Sequence, residues 1–253
     1  MHPISRRDVL VRTGIAAATA LPATFAAAQV EAGRGGLKVL VAGAHPDDPE
    51  SGCGGTIARY SDLGHSVTVL YLTRGEAGIR GKSHDEAGKI RTLEAEKACQ
   101  ILKARPTFAG QINGAVEVND ARYTEVRVLI EAEKPDVVLT HWPIDSHPDH
   151  RACSSLTYDA WLHLGRKFAL YYFEVDLGAQ TQNFRPTNYV NVTKVEDRKR
   201  DACMAHVSQN PAADFWGKYH EPMLRFRGME SGFSRAEAFV HQDQSPIGRL
   251  PDA

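Results

Sequence analysis

The sequence predicts an α/β protein with a Rossmann-like, three-layer α/β/α architecture built on a mostly parallel sheet. Two observations carry this expectation. The apolar runs at 39–44 (Val-Leu-Val-Ala-Gly-Ala) and within 135–140 (Pro-Asp-Val-Val-Leu-Thr) are unbroken rather than alternating, as strands covered on both faces require. Between such runs stand segments with helical spacing, and strands alternating with helices form parallel sheets joined by right-handed crossovers.

In order along the chain, 39–44 reads as the first strand and 52–63 as a helix stopped by Gly64, with Gly54-Gly55-Thr56 letting that helix start close against the sheet. Residues 67–73, rich in β-branched and aromatic side chains, form the next strand. A polar, glycine-bearing loop at 74–81 follows. A long helix fits 85–103, with Ile90, Leu93, Ala98, Ile101 and Leu102 as its apolar stripe. A short strand near 107–112 and a helix over 121–133 lead into the buried strand 135–140. In the last third, 168–175 and 189–192 read as strands and 195–207 as a helix, and the pattern assigns nothing to the C-terminal end.

The chain has 253 residues, 42% hydrophobic and 24% charged, enough for one sizeable core. Residues 1–28 stand apart from that core. Arg6-Arg7 precedes a mildly apolar, alanine-rich run, and Ala26-Ala27-Ala28 offers a small-residue cleavage site. This is the layout of a twin-arginine export signal, which places the mature chain in the periplasm or outside the cell. The competing reading is a membrane anchor, but the uncharged run 13–30 is Ala-rich, interrupted by Pro22 and marginal in length for a span. Losing 1–28 removes three Arg and one Asp, leaving 27 basic against 30 acidic residues, a formal charge of −3. Nothing in that balance calls for nucleic acid or an anionic membrane as partner. Cys53, Cys99, Cys153 and Cys203 form no CxxC pair and read as buried small apolar residues. No low-complexity linker divides 29–253, so it is expected to be one domain, with a homo-oligomer left open.

The chemistry gathers at two strand ends. His45 and Asp48 stand three apart on the turn after the first strand, at the edge where open α/β sheets bind ligands, and can supply two bonds to one zinc. Asp47 between them is placed to act as general base. A plainer reading is that the Asp residues cap the next helix. After the strand ending at Thr140 comes a second loop, His141-Trp142-Pro-Ile-Asp145-Ser146-His147-Pro148-Asp149-His150. In a parallel sheet both loops open on one edge. Together they offer His45, Asp47, Asp48, His147, Asp149 and His150; two His and one carboxylate with a fourth position open is a catalytic zinc arrangement, one metal per chain. No GxSxG motif suggests a serine nucleophile and no GxGxxG follows the first strand.

Ala44-His45-Pro46-Asp47-Asp48 with Gly52-Cys53-Gly54-Gly55-Thr56, followed by His147-Pro148-Asp149-His150, resembles the PIG-L or LmbE-like family of zinc-dependent N-acetylglucosaminide deacetylases. Thr73-Arg-Gly75-Glu76-Ala-Gly78, Arg91 with Glu94, His206-Val-Ser208-Gln209, Arg227-Gly228 and Ala236-Glu237-Ala-Phe239 are similar too, so the resemblance covers most of 29–253. It implies that His45, Asp48 and His150 bind zinc, that Asp47 is the general base, and that His147, oriented by Asp149, protonates the leaving amine or steadies the oxyanion. Many members carry Glu directly after the two Asp; here Pro49 intervenes before Glu50. The implied reaction removes the acetyl group from an N-acetylated sugar or glycoconjugate. A zinc amidase on another small amide, such as a thiol conjugate, and a non-catalytic, metal-containing sugar-binding module are the alternatives. Asp47 and His147 argue against the last, since binding alone needs neither. For substrate contacts the candidates are Arg74, Glu76 and Arg80 on the loop after the second strand, and His141 and Trp142 beside the second motif, with His206 by resemblance. Each has a plainer alternative as a solvated loop residue or core filler.

Overall fold

The computed structural model describes residues 36–175, 179–210, 215–248 and 250–251; the expected export signal at 1–28 lies outside them. Seven strands form one sheet in the order β3-β2-β1-β4-β5-β7-β6. β1 (Lys38–Gly43), β2 (Ser66–Thr73), β3 (Arg105–Gln111), β4 (Val137–His141) and β5 (Ala169–Phe173) run parallel. The two strands that close the sheet, β7 (Ala236–His241) and β6 (Asn188–Asn191), make antiparallel pairs β5·β7 and β7·β6.

The unbroken apolar runs have the cause expected of them. Alternate residues of one strand enter opposite cores: Val39, Val41, Val67, Val69 and Tyr71 pack on one face, and Leu40, Ala42, Leu70, Leu72 and Val138 on the other. At roughly 1.5–3 kcal/mol for each large apolar side chain removed from water, these two layers supply most of the driving force. Helices α1 (Asp48–Asp62), α2 (His84–Leu102) and α5 (Glu196–Met204) serve the first core; α3 (Asp120–Glu133) and α4 (Pro148–His163) serve the second. Local sequence sets their starts: Pro49 and Pro148 occupy first turns, and Ser83 with Glu86 form a capping box on α2.

The structure corrects some expectations. α1 begins at Asp48 rather than residue 52, so the metal-motif turn is its first turn, and its backbone breaks at Cys53 (φ −147°, ψ 24°). In α2, Leu93 is 66% exposed while Arg91 is 3% exposed. A polar side chain with buried partners has displaced an apolar one from the expected stripe. The expected helix over 195–207 is a 3₁₀ turn (Thr193–Val195), then α5, then a second 3₁₀ turn (Val207–Gln209). The unassigned C-terminal end holds a π-helical turn (Trp216–His220), α6 (Glu221–Ser231) and β7.

The sheet positions the site. β1 has β2 on one side and β4 on the other, so the winding of the chain reverses between β1 and β4, and loops leaving those two strands diverge into a crevice. Register pairs Ala42 with Thr140, which sets the ends of both strands level. The Ala44 N–H then donates to His141 Nε2 at 3.1 Å, tying the two loops at their roots.

Candidate active site

The loop after β1 is held tightly. Ala44 C=O accepts from Thr73 N–H at 3.1 Å and Thr73 Oγ1 at 3.0 Å, and the His45 N–H donates to Asp48 Oδ2 at 2.8 Å. Asp47 carries φ 107°, a backbone conformation that side-chain-bearing residues rarely adopt. Its N–H donates to Glu50 Oε2, and its carboxylate meets the Arg91 guanidinium at 3.0 Å. That carboxylate remains about a third exposed.

His45, Asp48 and His150 converge. His45 Nδ1 lies 3.0 Å from Asp48 Oδ2, His150 Nε2 lies 3.2 Å from Asp48 Oδ1, and the two ring nitrogens are 3.3 Å apart. The outer nitrogens of both rings face carboxylates: His45 Nε2 meets Asp149 Oδ2 at 3.0 Å and His150 Nδ1 meets Asp145 Oδ2 at 3.3 Å. An imidazole that donates its outer N–H turns its lone pair inward, so two lone pairs and a carboxylate share one small volume. Such a volume calls for positive charge. Ligand bonds of about 2.0–2.1 Å in tetrahedral geometry put donor atoms about 3.3 Å apart, and the measured separations fit that spacing. The donor atoms of His45, His147 and His150, and those of Asp48, His141 and His150, also lie within 4.8 Å of one another. His141, however, has Nε2 engaged by Ala44.

The electrostatics agree. Burial of Asp48 opposes its ionisation, yet the imidazoles of His150, His45 and His141 draw it well below the ordinary carboxylate value. Burial also opposes charge on His45 and His150, but Asp48, with Asp149 for His45 and Asp145 for His150, raises them to about 9 and about 10. His141, fully buried against His150, is pushed down to about 4.

Asp149 requires a correction. It was expected to orient His147, but its carboxylate holds His45 Nε2 and accepts the Gly114 N–H at 2.6 Å. His147 touches Asp149 only through the backbone: its Nδ1 accepts the Asp149 N–H at 3.2 Å and caps α4. Nor is a cationic His147 favoured. Burial and then the charges of His45 and His150 lower it.

A cavity of about 330 Å³ opens beside Asp47 and Asp48, walled by Ser51, Gln180, His206, Gln209, Phe215, Tyr219 and other residues. His206 is a candidate pocket residue by resemblance and does line it; most of the wall comes from the C-terminal third, where the sequence pattern names no other pocket residue. None of the other five substrate candidates lines it. Arg74 stacks on Phe108 and binds Thr92, and Glu76 is buried, accepting the N–H groups of Arg74 and Asn113; both border a different groove. Arg80 is exposed. His141 is buried, and Trp142 donates Nε1–H to Gln182 C=O with its ring against Tyr172 and Phe184.

The chain is similar to known proteins in sequence and in three dimensions. Residues 40–161 match the PIG-L family, described as GlcNAc-PI de-N-acetylase. A diacetylchitobiose deacetylase of Thermococcus kodakarensis is 31% identical over 220 residues, covering 79% of this chain and 81% of the relative. A 1D-myo-inositol 2-acetamido-2-deoxy-alpha-D-glucopyranoside deacetylase of Rhodococcus erythropolis is 31% identical over 150 residues, and the chain spans 51% of its length. In three dimensions, the N,N'-diacetylchitobiose deacetylase from Pyrococcus horikoshii superposes with a TM-score of 0.70 at 25% identity, over 83% of this chain and 88% of that one.

Proposed function

The chain belongs to the PIG-L family of de-N-acetylases, hydrolases of carbon–nitrogen bonds, and from that premise we propose that it removes acetyl groups from N-acetylated sugars using one zinc ion per chain. The observation that carries this reading is the inward-facing cluster of His45 Nδ1, His150 Nε2 and the Asp48 carboxylate, with the Asp47 carboxylate and an open cavity next to it.

His45, Asp48 and His150 would hold the metal, and two imidazoles with one carboxylate suit zinc. When bound, zinc polarises the amide carbonyl and makes a water acidic enough to attack at neutral pH. The remaining steps belong to the protein. Arg91 fixes one oxygen of Asp47, leaving the other to take the proton from the attacking water. Neutral His147, with Nδ1 accepting from the Asp149 N–H, carries its proton on Nε2, from which it can hydrogen-bond the developing oxyanion, while the proton that Asp47 takes from the water passes to the departing nitrogen. Asp149 and Asp145 keep His45 and His150 in the tautomers that face inward. Phe215 and Tyr219 offer aromatic faces, and Gln209 and Ser51 polar atoms, to a sugar ring in the cavity.

Free-amine release from a panel of N-acetylated sugars and N-acyl thiol conjugates, with metal content measured on the same sample, tests the reading. The sugars should be preferred. Preference for the thiol conjugates would move the protein to the amidase class, and no release from either by zinc-loaded protein would leave the binding-module reading. We also read Arg6-Arg7 as directing export to the periplasm or beyond; Arg6→Lys with Arg7→Lys should hold the protein in the cytoplasm, and unchanged delivery would refute that route.

A further inference from the structure

The buried pair Lys199–Glu237 lies outside the chemistry described above. Lys199 is 0% and Glu237 2% exposed, and Nζ meets Oε1 at 2.5 Å. Both side chains grip the break in α1. In a continuous helix the Gly55 N–H would donate to Ser51 C=O. Here the Gly55 N–H donates to Glu237 Oε1 at 2.8 Å, and the Thr56 N–H and Oγ1 donate to Oε2 at 2.7 and 2.6 Å. The Ser51 C=O accepts instead from Lys199 Nζ at 2.6 Å. A carboxylate thus serves the N–H groups that open the second half of the helix, and an ammonium serves the carbonyl that ends the first, each with the charge that helix end favours. Attraction between the two charges links the halves.

The close approach accounts for the glycines of the motif. A Cβ on Gly54 would stand 3.3 Å from Lys199 Cγ, and one on Gly55 would collide with Val192 at 2.6 Å and press on Glu237 Oε1 at 3.1 Å. The half of α1 before the break is the functional one. It carries Asp48 of the metal cluster, Glu50, which accepts the Asp47 N–H, and Ser51 of the cavity wall.

We propose that Lys199 and Glu237 act as one positioning device: from α5 and β7 they clamp the break in α1 and thereby set where Asp47 and Asp48 stand. The inference rests on the deacetylase reading above, and its test separates the two. Removing one charge strands the other in the core, so the informative variant removes both, Lys199→Met with Glu237→Gln. Zinc affinity is read by competition with a chromophoric chelator, and kcat and KM are read at saturating zinc, well below the melting temperature of each protein. The folded double variant should bind zinc about 10- to 100-fold more weakly and lose a similar factor in kcat, with KM nearly unchanged. Thr56→Val, which removes one of the three donors to Glu237 and keeps the fold, should weaken zinc binding at least about threefold in the same direction. A folded double variant with the parent's zinc affinity and kcat would overturn the proposal. If the double variant does not fold, parent-like values for Thr56→Val overturn it. Failure of the deacetylase reading shows separately, as absence of amine release from the zinc-loaded parent, while the zinc affinities still judge the clamp.

Discussion

The Arg91 guanidinium stands 3.0 Å from the Asp47 carboxylate and also binds the Pro46 carbonyl, so one buried side chain grips both the functional group of the residue at φ 107° and the carbonyl just before it. Strain of that kind persists only where neighbours over-determine it. Arg91 reaches the turn beneath the loop after β2, where a Cβ on Gly75 would come 2.5 Å from Nη1. Arg91→Lys keeps the charge but replaces the rigid, planar guanidinium, whose Nη2 serves both acceptors, with an ammonium on a flexible stem. The expected result is a fall in kcat of about 10², the usual cost of misplacing a reacting group, with metal content unchanged. Steady-state kinetics with elemental analysis checks this, and an unaltered kcat would show that Asp47 is held without Arg91.

Asp149 supports His45 rather than His147, which predicts a different phenotype for its removal. Asp149→Asn should weaken metal binding about 10- to 100-fold, as loss of a carboxylate behind a ligating imidazole does. Chelator competition measures it. A variant with full metal affinity and only a rate defect would return Asp149 to His147.

His220 makes folding sensitive to acid. Burial, helped by the charge on Lys199, pushes it down to about 3 from the ordinary 6.5. Above pH 6.5 the imidazole is neutral in both states and contributes no pH dependence. Below it, the unfolded chain gains a proton that the folded chain refuses until about pH 3, so stability falls as pH drops through this window. Near pH 5 the loss is about 2 kcal/mol. Denaturant unfolding of parent and His220→Phe, both metal-saturated, should show a shallower acid limb in the variant; equal slopes would contradict the assignment.

Much of this was legible because β1 and β4 end abruptly in polar motifs. An unbroken apolar run means burial on both faces, and the edge where such runs end is where His45, Asp48 and His150 had to meet. Less was legible where partners come from elsewhere in the chain. Arg91 occupies a helical position that periodicity gives to an apolar residue, because its partners Pro46 and Asp47 lie on another loop. The spacing of Asp149 from His147 does not reveal that its carboxylate crosses to His45. Of the cavity wall, Gln209 belongs to a 3₁₀ turn and Tyr219 and His220 to a π-helical turn, which have no hydrophobic period to read. Arg74, Glu76 and Arg80 lie on the expected edge, but the first two turn to Phe108, Thr92 and Asn113 rather than to the cavity.

In the proposed mechanism, His45, Asp48 and His150 hold the metal while Asp47 works beside it. Metal stoichiometry and rate of amine release, measured together on parent, Asp47→Asn and His150→Ala, test it most directly. The parent and Asp47→Asn should each hold about one zinc per chain, with Asp47→Asn slower by about 10² to 10⁴, the usual worth of general-base help, and His150→Ala should hold almost none. An Asp47→Asn protein without metal, or a His150→Ala protein with a full complement, would contradict it.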